Sequence, residues 1–375
     1  MQFKDLKAQY LALKPQIDYA IQSVLDTSEF ILGDPVKELE NILANYVGRK
    51  YCVTCANGTD SLQLALMAMG VGKGDAVFTS DFTYFASAGA PSLLGATVIF
   101  VDIDERTFNI SFKSLEDAII RVISEGKLVP KVIIPVDLFG LPADYPQLIS
   151  IAKKYNLKIL EDGAQGFGGR IMDKKACSFG DISITSFFPA KPLGCYGDGG
   201  AIFTDDDNIA EHLYSLRAQG RSKNNKYEHC EIGINSRLDT LQAAILLEKF
   251  KAFVDYELQA VNEIADWYTR RLENVVTTPY IPFGYYSSWA QYTIMFKDTE
   301  TRNRIQSELK KHGIPSMIYY PLALHQQKVY KGICKNDTDY QHTLQAVKTV
   351  LSLPIHPYLK EDEVDKITKI IIKNT

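Results

Sequence analysis

The chain has 375 residues, 46% hydrophobic and 23% charged, which excludes a disordered or low-complexity protein and allows a large core. Its 41 basic and 45 acidic residues leave a net charge of −4 with no long basic run, so no nucleic-acid partner is expected. Any anionic ligand must be gripped by local donors rather than drawn by the field of the whole protein.

The N-terminal part reads as two helices. One runs through Leu6–Leu25. The second is opened by Asp34-Pro35, a cap with proline in the first turn, and carries Val36, Leu39, Ile42 and Leu43 on one face. Short strands and helices then alternate. Strands are expected at Tyr51–Cys55, Ala76–Thr79, Thr97–Val101, Lys131–Val136, Lys158–Glu161, Ile182–Ser186 and Ala201–Thr204. Helices are expected at Asp60–Met69, Ala86–Leu94, Leu115–Ser124 and Tyr145–Tyr155. The strands are continuous apolar runs, which implies a mostly parallel sheet buried on both faces by helices, an α/β architecture. In such sheets ligands sit beyond the carboxyl ends of the strands.

A long helical region follows at Arg237–Leu272. Past it, Thr277–Pro282 and Gln291–Phe296 read as strands, and Thr301–His312, Tyr340–Leu351 and Glu361–Ile372 as helices. A boundary near residue 250 therefore separates a large α/β domain, 1–250, from a smaller α+β domain, 251–375. No apolar stretch is long enough to cross a bilayer, and the opening Met1-Gln2-Phe3-Lys4-Asp5-Leu6 lacks a secretory apolar run. A cytoplasmic protein without a membrane partner is expected. Cysteines stand at 52, 55, 177, 195, 230 and 334. Cys52 and Cys55 form a CxxC pair with no second pair at zinc spacing, so they read as buried strand residues, and no metal is expected.

The strand ends carry the chemistry. Asn57-Gly58-Thr59-Asp60 opens a helix, and its free N–H groups and positive dipole end make a phosphate seat, although a merely capped turn looks the same. Asp162, followed by Gln165, ends a strand; a carboxylate there can keep a pyridinium nitrogen protonated, or simply cap a helix. Lys191 lies in the apolar loop Ser186-Phe187-Phe188-Pro189-Ala190-Lys191-Pro192-Leu193-Gly194. Desolvation there lowers an amine's pKa and makes it a better Schiff-base nucleophile than an ordinary solvated lysine. Gly163-Ala164-Gln165-Gly166-Phe167-Gly168-Gly169 lacks the G-x-G-x-x-G spacing and is rejected as a nicotinamide site. Phosphate seat, ring-nitrogen carboxylate and lysine, in that order, are the parts of a fold type I pyridoxal-phosphate enzyme.

With these motifs the chain resembles the DegT/StrS family of sugar aminotransferases. The likeness runs from Phe3-Lys4-Asp5-Leu6-Lys7 and Phe30-Ile31-Leu32-Gly33 through the segments above. It continues in Gly197-Asp198-Gly199-Gly200 and Asn235-Ser236-Arg237-Leu238-Asp239 and ends at Ser352-Leu353-Pro354. The resemblance implies pyridoxal 5′-phosphate as cofactor, an aspartate aminotransferase-like fold, and Lys191 as the Schiff-base lysine and proton shuttle. It also implies that Asp162 pairs with the ring nitrogen, Gln165 bonds the ring hydroxyl and Tyr84 covers the ring. Gly58, Thr59 and Ser186 would hold the phosphate, with Asn235 reaching it from the neighbouring subunit of a homodimer. Tyr227, His229, Arg237 and Tyr319 are substrate-side candidates; Arg237 reads equally as one half of an ion pair at its helix start.

Within the family the chain most resembles enzymes that aminate C3 of UDP-linked 2-acetamido-3-keto sugars, neutral or uronic, for lipopolysaccharide or lipid A sugars, with L-glutamate as donor. The pointers are Ser186–Gly200, Ala290-Gln291-Tyr292-Thr293 and His356-Pro357-Tyr358-Leu359. Two positions depart from many relatives: Gly163 replaces alanine, and Tyr319-Tyr320-Pro321 replaces His-Tyr-Pro. The alternatives are a dTDP- or UDP-linked 4-keto or 3-keto-6-deoxy sugar aminotransferase, a pyridoxal-phosphate sugar dehydratase, which usually has histidine at the lysine position, and a non-catalytic regulatory relative.

Overall fold

The computed structural model describes residues 1–225, 227–332 and 337–375, without the side chains of Asp337 and Thr338. Cys334 lies outside the described residues. Helix α1 (Leu6–Thr27) starts where the Asp5 carboxylate accepts the Ala8 N–H at 2.9 Å and stops at Ser28 in the left-handed region. Helix α2 (Asp34–Val47) has Gly33, not Asp34, at the cap position, so Asp34 adds its charge to the first turn. Its buried face contains Val36, Leu39 and Leu43, with Ile42 only half-buried.

Strand β1 (Tyr51–Cys55) and helix α3 (Gly58–Ala68) are followed by β2 (Asp75–Ser80), α4 (Ala86–Leu93), β3 (Thr97–Val101) and α5 (Phe112–Glu125). Then come β4 (Val129–Ile134), α6 (Tyr145–Tyr155) and β5 (Lys158–Asp162), the short β6 (Arg170–Ile171) and β7 (Lys174–Lys175), and β8 (Ile182–Ser186) and β9 (Gly200–Thr204). The main sheet has the order β1-β9-β8-β5-β4-β2-β3. It is parallel except that β9 runs antiparallel to both its neighbours, as expected of a mostly parallel, doubly covered sheet. Cys52 and Cys55 are buried in β1, as the apolar reading of that pair expects.

Helix α7 (Asp207–Leu216), absent from the sequence reading, is capped by Asp206. The long helical region begins at Thr240 rather than Arg237, because Asn235 and Asp239 are bridged to Ala218 and Ile31. Helix α8 (Thr240–Ala252) passes through a widened π-type turn, Phe253–Glu257, into α9 (Leu258–Leu272). After β10 (Tyr285–Tyr286), which joins β6 and β7 in a small ribbon, come β11 (Tyr292–Met295) and α10 (Thr299–Lys311). The expected strand at Thr277–Pro282 reduces to one bridge, Thr277 to Met295, since Pro279 and Pro282 have no N–H to donate.

Helix α11 (Gln341–Thr349) ends sooner than expected. Its apolar continuation is strand β12 (Val350–Leu353), paired antiparallel with β11, and α12 (Glu361–Asn374) closes the chain. One apolar cluster, including Ile264, Tyr268, Tyr292, Ile294, Leu351, Leu353 and Ile367, gathers α9, β11, β12 and α12. Three other clusters sandwich the main sheet.

A buried ion pair ties three elements at the sheet edge. Arg217, just past α7, meets the Glu40 carboxylate of α2 at 2.6 Å and the Thr54 carbonyl of β1 at 2.7 Å. Removing the guanidinium leaves Glu40 buried without its cation. Arg217→Ala is expected to lower stability by about 3 kcal/mol or more in urea unfolding, and adding Glu40→Gln to recover part of that loss.

Candidate active site

Beyond the carboxyl ends of β1, β5 and β8 the local chain rules converge. Asn57 caps α3, its side-chain oxygen accepting from Asp60 N–H at 2.8 Å while its carbonyl takes Ser61 N–H at 3.0 Å. The N–H groups of Gly58 and Thr59 make no hydrogen bond among the described residues, so the positive end of the helix is open to an anion. Gly58 is required by close approach: a Cβ there would lie 2.7 Å from the Ser186 Cβ at the end of β8. Ser186 and the first turn of α3 thus share one small concave seat.

Asp162 ends β5 and is 4% exposed. Its Oδ2 accepts from the Ser87 hydroxyl at 2.8 Å and its Oδ1 from Ala164 N–H at 3.2 Å. Burial pushes the carboxyl pKa up, opposed by those two donors and by the charge of Lys191. Burial likewise pushes the Lys191 amine down, opposed by the Asp162 charge. Asp162 and Lys191 therefore each lose hydration, and each feels the opposite charge of the other.

Gln165, 3% exposed, accepts Phe139 N–H at 2.8 Å and donates to the Tyr320 hydroxyl at 3.1 Å. Tyr320 stands edge-on to Phe82 with ring centres 5.9 Å apart, and burial raises its hydroxyl pKa. Gln165 is thus oriented by protein partners and keeps one amide hydrogen for a ligand.

The remaining candidates sit on the open side. Tyr84 is exposed. Tyr227 is 86% exposed, and Asn235 is also exposed. His229 is exposed, with Nδ1 bonded to the Gln219 carbonyl at 2.9 Å. No hydrogen bond among the described residues joins His229 or Asn235 to Asp162, Gln165 or Lys191. Arg237 makes no ion pair among the described residues, and its Nε is buried without a hydrogen-bond partner. Tyr319 packs edge-on against Phe3 and Tyr320 at 6.1 and 5.7 Å.

Ser87 and Tyr320 were missed by sequence reasoning. Ser87 is 75 residues from Asp162 and Tyr320 is 155 from Gln165, so only the fold brings each pair together. The Tyr319-Tyr320-Pro321 segment was singled out, but for its first residue rather than its second.

These residues fit pyridoxal phosphate. The buried Asp162 carboxylate suits a protonated ring nitrogen, Lys191 suits its aldehyde, and the Gly58–Ser186 seat, too tight for a side chain at position 58, suits its phosphate. A sequence profile described as the DegT/DnrJ/EryC1/StrS aminotransferase family matches residues 12–372. The chain is 44% identical to UDP-2-acetamido-2-deoxy-3-oxo-D-glucuronate aminotransferase of Pseudomonas aeruginosa, covering 96% of each chain. It is 42% identical to a pleiotropic regulatory protein of Geobacillus stearothermophilus, covering 96% of this chain and 94% of that one. It is 38% identical to UDP-N-acetyl-3-dehydro-alpha-D-glucosamine 3-aminotransferase of Acidithiobacillus ferrooxidans, covering 98% and 96%.

Among solved structures, a DegT DnrJ EryC1 StrS aminotransferase from Brucella abortus superposes with a TM-score of 0.96 at 44% identity, over 99% of this chain and 98% of that one. NtdA of Bacillus subtilis with bound cofactor PMP superposes at 0.87 and 30% identity, over 96% and 82%.

Gly58→Ala forces the added methyl against Ser186. We expect a loss of roughly tenfold or more in pyridoxal-phosphate affinity by fluorescence titration, with an unchanged far-ultraviolet circular dichroism spectrum.

Proposed function

The chain belongs to the DegT/DnrJ/EryC1/StrS aminotransferase family and depends on pyridoxal phosphate; from that premise we propose that it carries the amino group of L-glutamate to the C3 ketone of a UDP-linked 2-acetamido-3-keto sugar. The chemistry rests on one observation, a buried Asp162 carboxylate near enough to the desolvated amine of Lys191 for each to feel the other's charge. The sugar is supported by the relatives at 44% and 38% identity, which are named for a 3-oxo uronic acid and a 3-dehydro glucosamine carried on UDP.

When bound, pyridoxal phosphate supplies an electron sink for the carbon losing its proton. Gly58 and Thr59 N–H groups and the Ser186 hydroxyl would hold its phosphate. Asp162, oriented by Ser87, would keep the ring nitrogen protonated, Gln165 would bond the ring hydroxyl, and Tyr84 would cover the ring face. Lys191 would bond the cofactor aldehyde at rest and, when its amine is free, would serve as the general base. Its amine would take the α-proton of glutamate in the first half-reaction and give a proton to C3 of the sugar in the second. Its lowered pKa leaves more neutral amine at neutral pH than an ordinary lysine offers.

The exposed Asn235 reaches the phosphate of a second copy, making the working unit a homodimer with sites at the interface. Tyr227, His229, Arg237 and Tyr319 line the sugar side, with Arg237 as the cation for the diphosphate. The large domain, 1–250, carries the cofactor and 251–375 forms the small domain. The enzyme works in the cytoplasm on sugars destined for lipopolysaccharide or lipid A. Among the described residues, no helix is long and apolar enough to cross a membrane.

The regulatory name of one relative favours a second reading, a fold kept without catalysis. Asp162, Gln165 and Lys191 are all retained and buried or half-buried here, which a protein freed from catalysis has no need to keep.

Lys191→Ala is expected to lower turnover by roughly a thousandfold or more, and wild-type turnover in that variant would remove the assignment. Mass spectrometry of the wild-type products formed with glutamate is expected to show amine gain on UDP-linked 3-keto-N-acetylglucosamine or its uronic acid. Amine gain only on 4-keto sugars would overturn the C3 reading.

A further inference from the structure

A cleft opens beside Lys191, between the N-terminal segment and the β12–α12 connection; Lys4, Gln9, Lys191, Glu257, Trp289 and His356 are among its walls. Its charges are unbalanced. The Glu257 carboxylate is already held by Gln9 Nε2 at 2.9 Å and the Tyr358 hydroxyl at 2.7 Å, and the Asp5 carboxylate is used in capping α1. Lys4 makes neither a hydrogen bond nor an ion pair among the described residues. His356 is 5% exposed, and its only hydrogen-bonding neighbour among the described residues is the Gln2 backbone, which is too poorly aligned to satisfy either ring nitrogen. Buried polar groups are rarely left in this state unless something else completes them.

We propose that Lys4 and His356 form a carboxylate subsite beside Lys191 that seats the α-carboxylate of the amino donor. The proposal rests on the aminotransferase reading above. Three features of the cleft favour a carboxylate. An ammonium and an imidazole N–H on the walls of one cleft supply two donors, the number one carboxylate can accept with its two oxygens. Burial, together with the Lys191 charge, pushes the Lys4 amine down to about 7, and burial with the Lys4 charge pushes His356 down to about 4; Asp5, Glu363 and the Gln2 backbone oppose the latter shift only in part. A bound anion relieves that repulsion. Finally, the protein's net charge is negative, so an anion needs such a local set of donors.

Bond counting selects the donor. Lys191 must reach the α-proton of glutamate, and the α-carboxylate is bonded to that same carbon, so its binding groups must stand beside the lysine. A C6 carboxylate of a uronic sugar lies three bonds from C3, and a nucleotide diphosphate lies farther along the molecule. Lys4 and His356 share one cleft with Lys191, so the nearest of these anions is the one assigned to them.

The test uses the cofactor-loaded protein and 2-methylglutamate, which has no α-proton to lose and therefore reports binding without turnover. In Lys4→Gln its dissociation constant, read by visible absorbance titration, is expected to rise by roughly tenfold or more. Lys4→Arg is expected to stay within a few-fold of wild type, and His356→Phe to weaken binding in the same direction as Lys4→Gln. Cofactor content and circular dichroism of each variant establish folding. Unchanged 2-methylglutamate affinity in Lys4→Gln overturns the proposal. So does a loss confined to the uronic sugar, measured as its dissociation constant against the neutral sugar, because the subsite would then serve the acceptor. Failure of wild-type protein to convert its cofactor with glutamate would instead overturn the aminotransferase reading itself.

Discussion

Asp162 and Lys191 impose the constraint on which the rest of the site depends. A carboxylate on the fifth strand of the chain and an amine in the loop after the eighth are each withdrawn from water; the Ser87 and Ala164 donors and then the Lys191 charge hold Asp162 toward its charged form, and the Asp162 charge does the same for Lys191. Either charge buried alone would be costly, and a single removal leaves its partner exposed to that cost. The Ser87 hydroxyl and the Ala164 N–H reduce it by occupying the Asp162 oxygens, which also fixes the direction in which the carboxylate points. The pair is therefore poised for a ligand that puts a cationic nitrogen at one end and an electrophilic carbon at the other.

The topology explains how distant residues meet there. Strands β5 and β8 are parallel neighbours, so their carboxyl ends deliver Asp162 and Ser186 to the same edge of the sheet. Strand β1 points the same way from beyond β9 and hands the chain to α3, whose first turn arrives against Ser186. The seat is consequently made of backbone and one hydroxyl, with the helix dipole in place of a cationic side chain. This arrangement suits a protein whose overall charge repels anions.

Much of this was legible in the residues because apolar runs and punctuation are local signals. Thr97–Val101 and Ile182–Ser186 read as strands to the residue, and Asn57-Gly58 and Asp162 read as strand-end chemistry. What escaped depended on pairing across the fold. Val350–Leu353 reads as the continuation of a helix until β11 is present to pair with it. The antiparallel turn of β9 leaves no mark in composition. The break between α8 and α9 contains neither glycine nor proline, because a π-type turn keeps helical backbone angles and needs no special residue. At the site, the lysine and the acid announced themselves by motif, whereas Ser87 and Tyr320 are ordinary residues that matter only through what they touch.

The central claim is that the amine at position 191, and no other in the neighbourhood, bonds the cofactor. Lys4 lines the same cleft and also carries a lowered pKa, so a chemical trap can choose between them. The direct measurement is borohydride reduction of the pyridoxal-phosphate-loaded protein, followed by peptide mass spectrometry. The account predicts a stable pyridoxyl-phosphate adduct on the peptide containing Lys191. An adduct on Lys4 or on another lysine, or no adduct in protein saturated with cofactor, would contradict it.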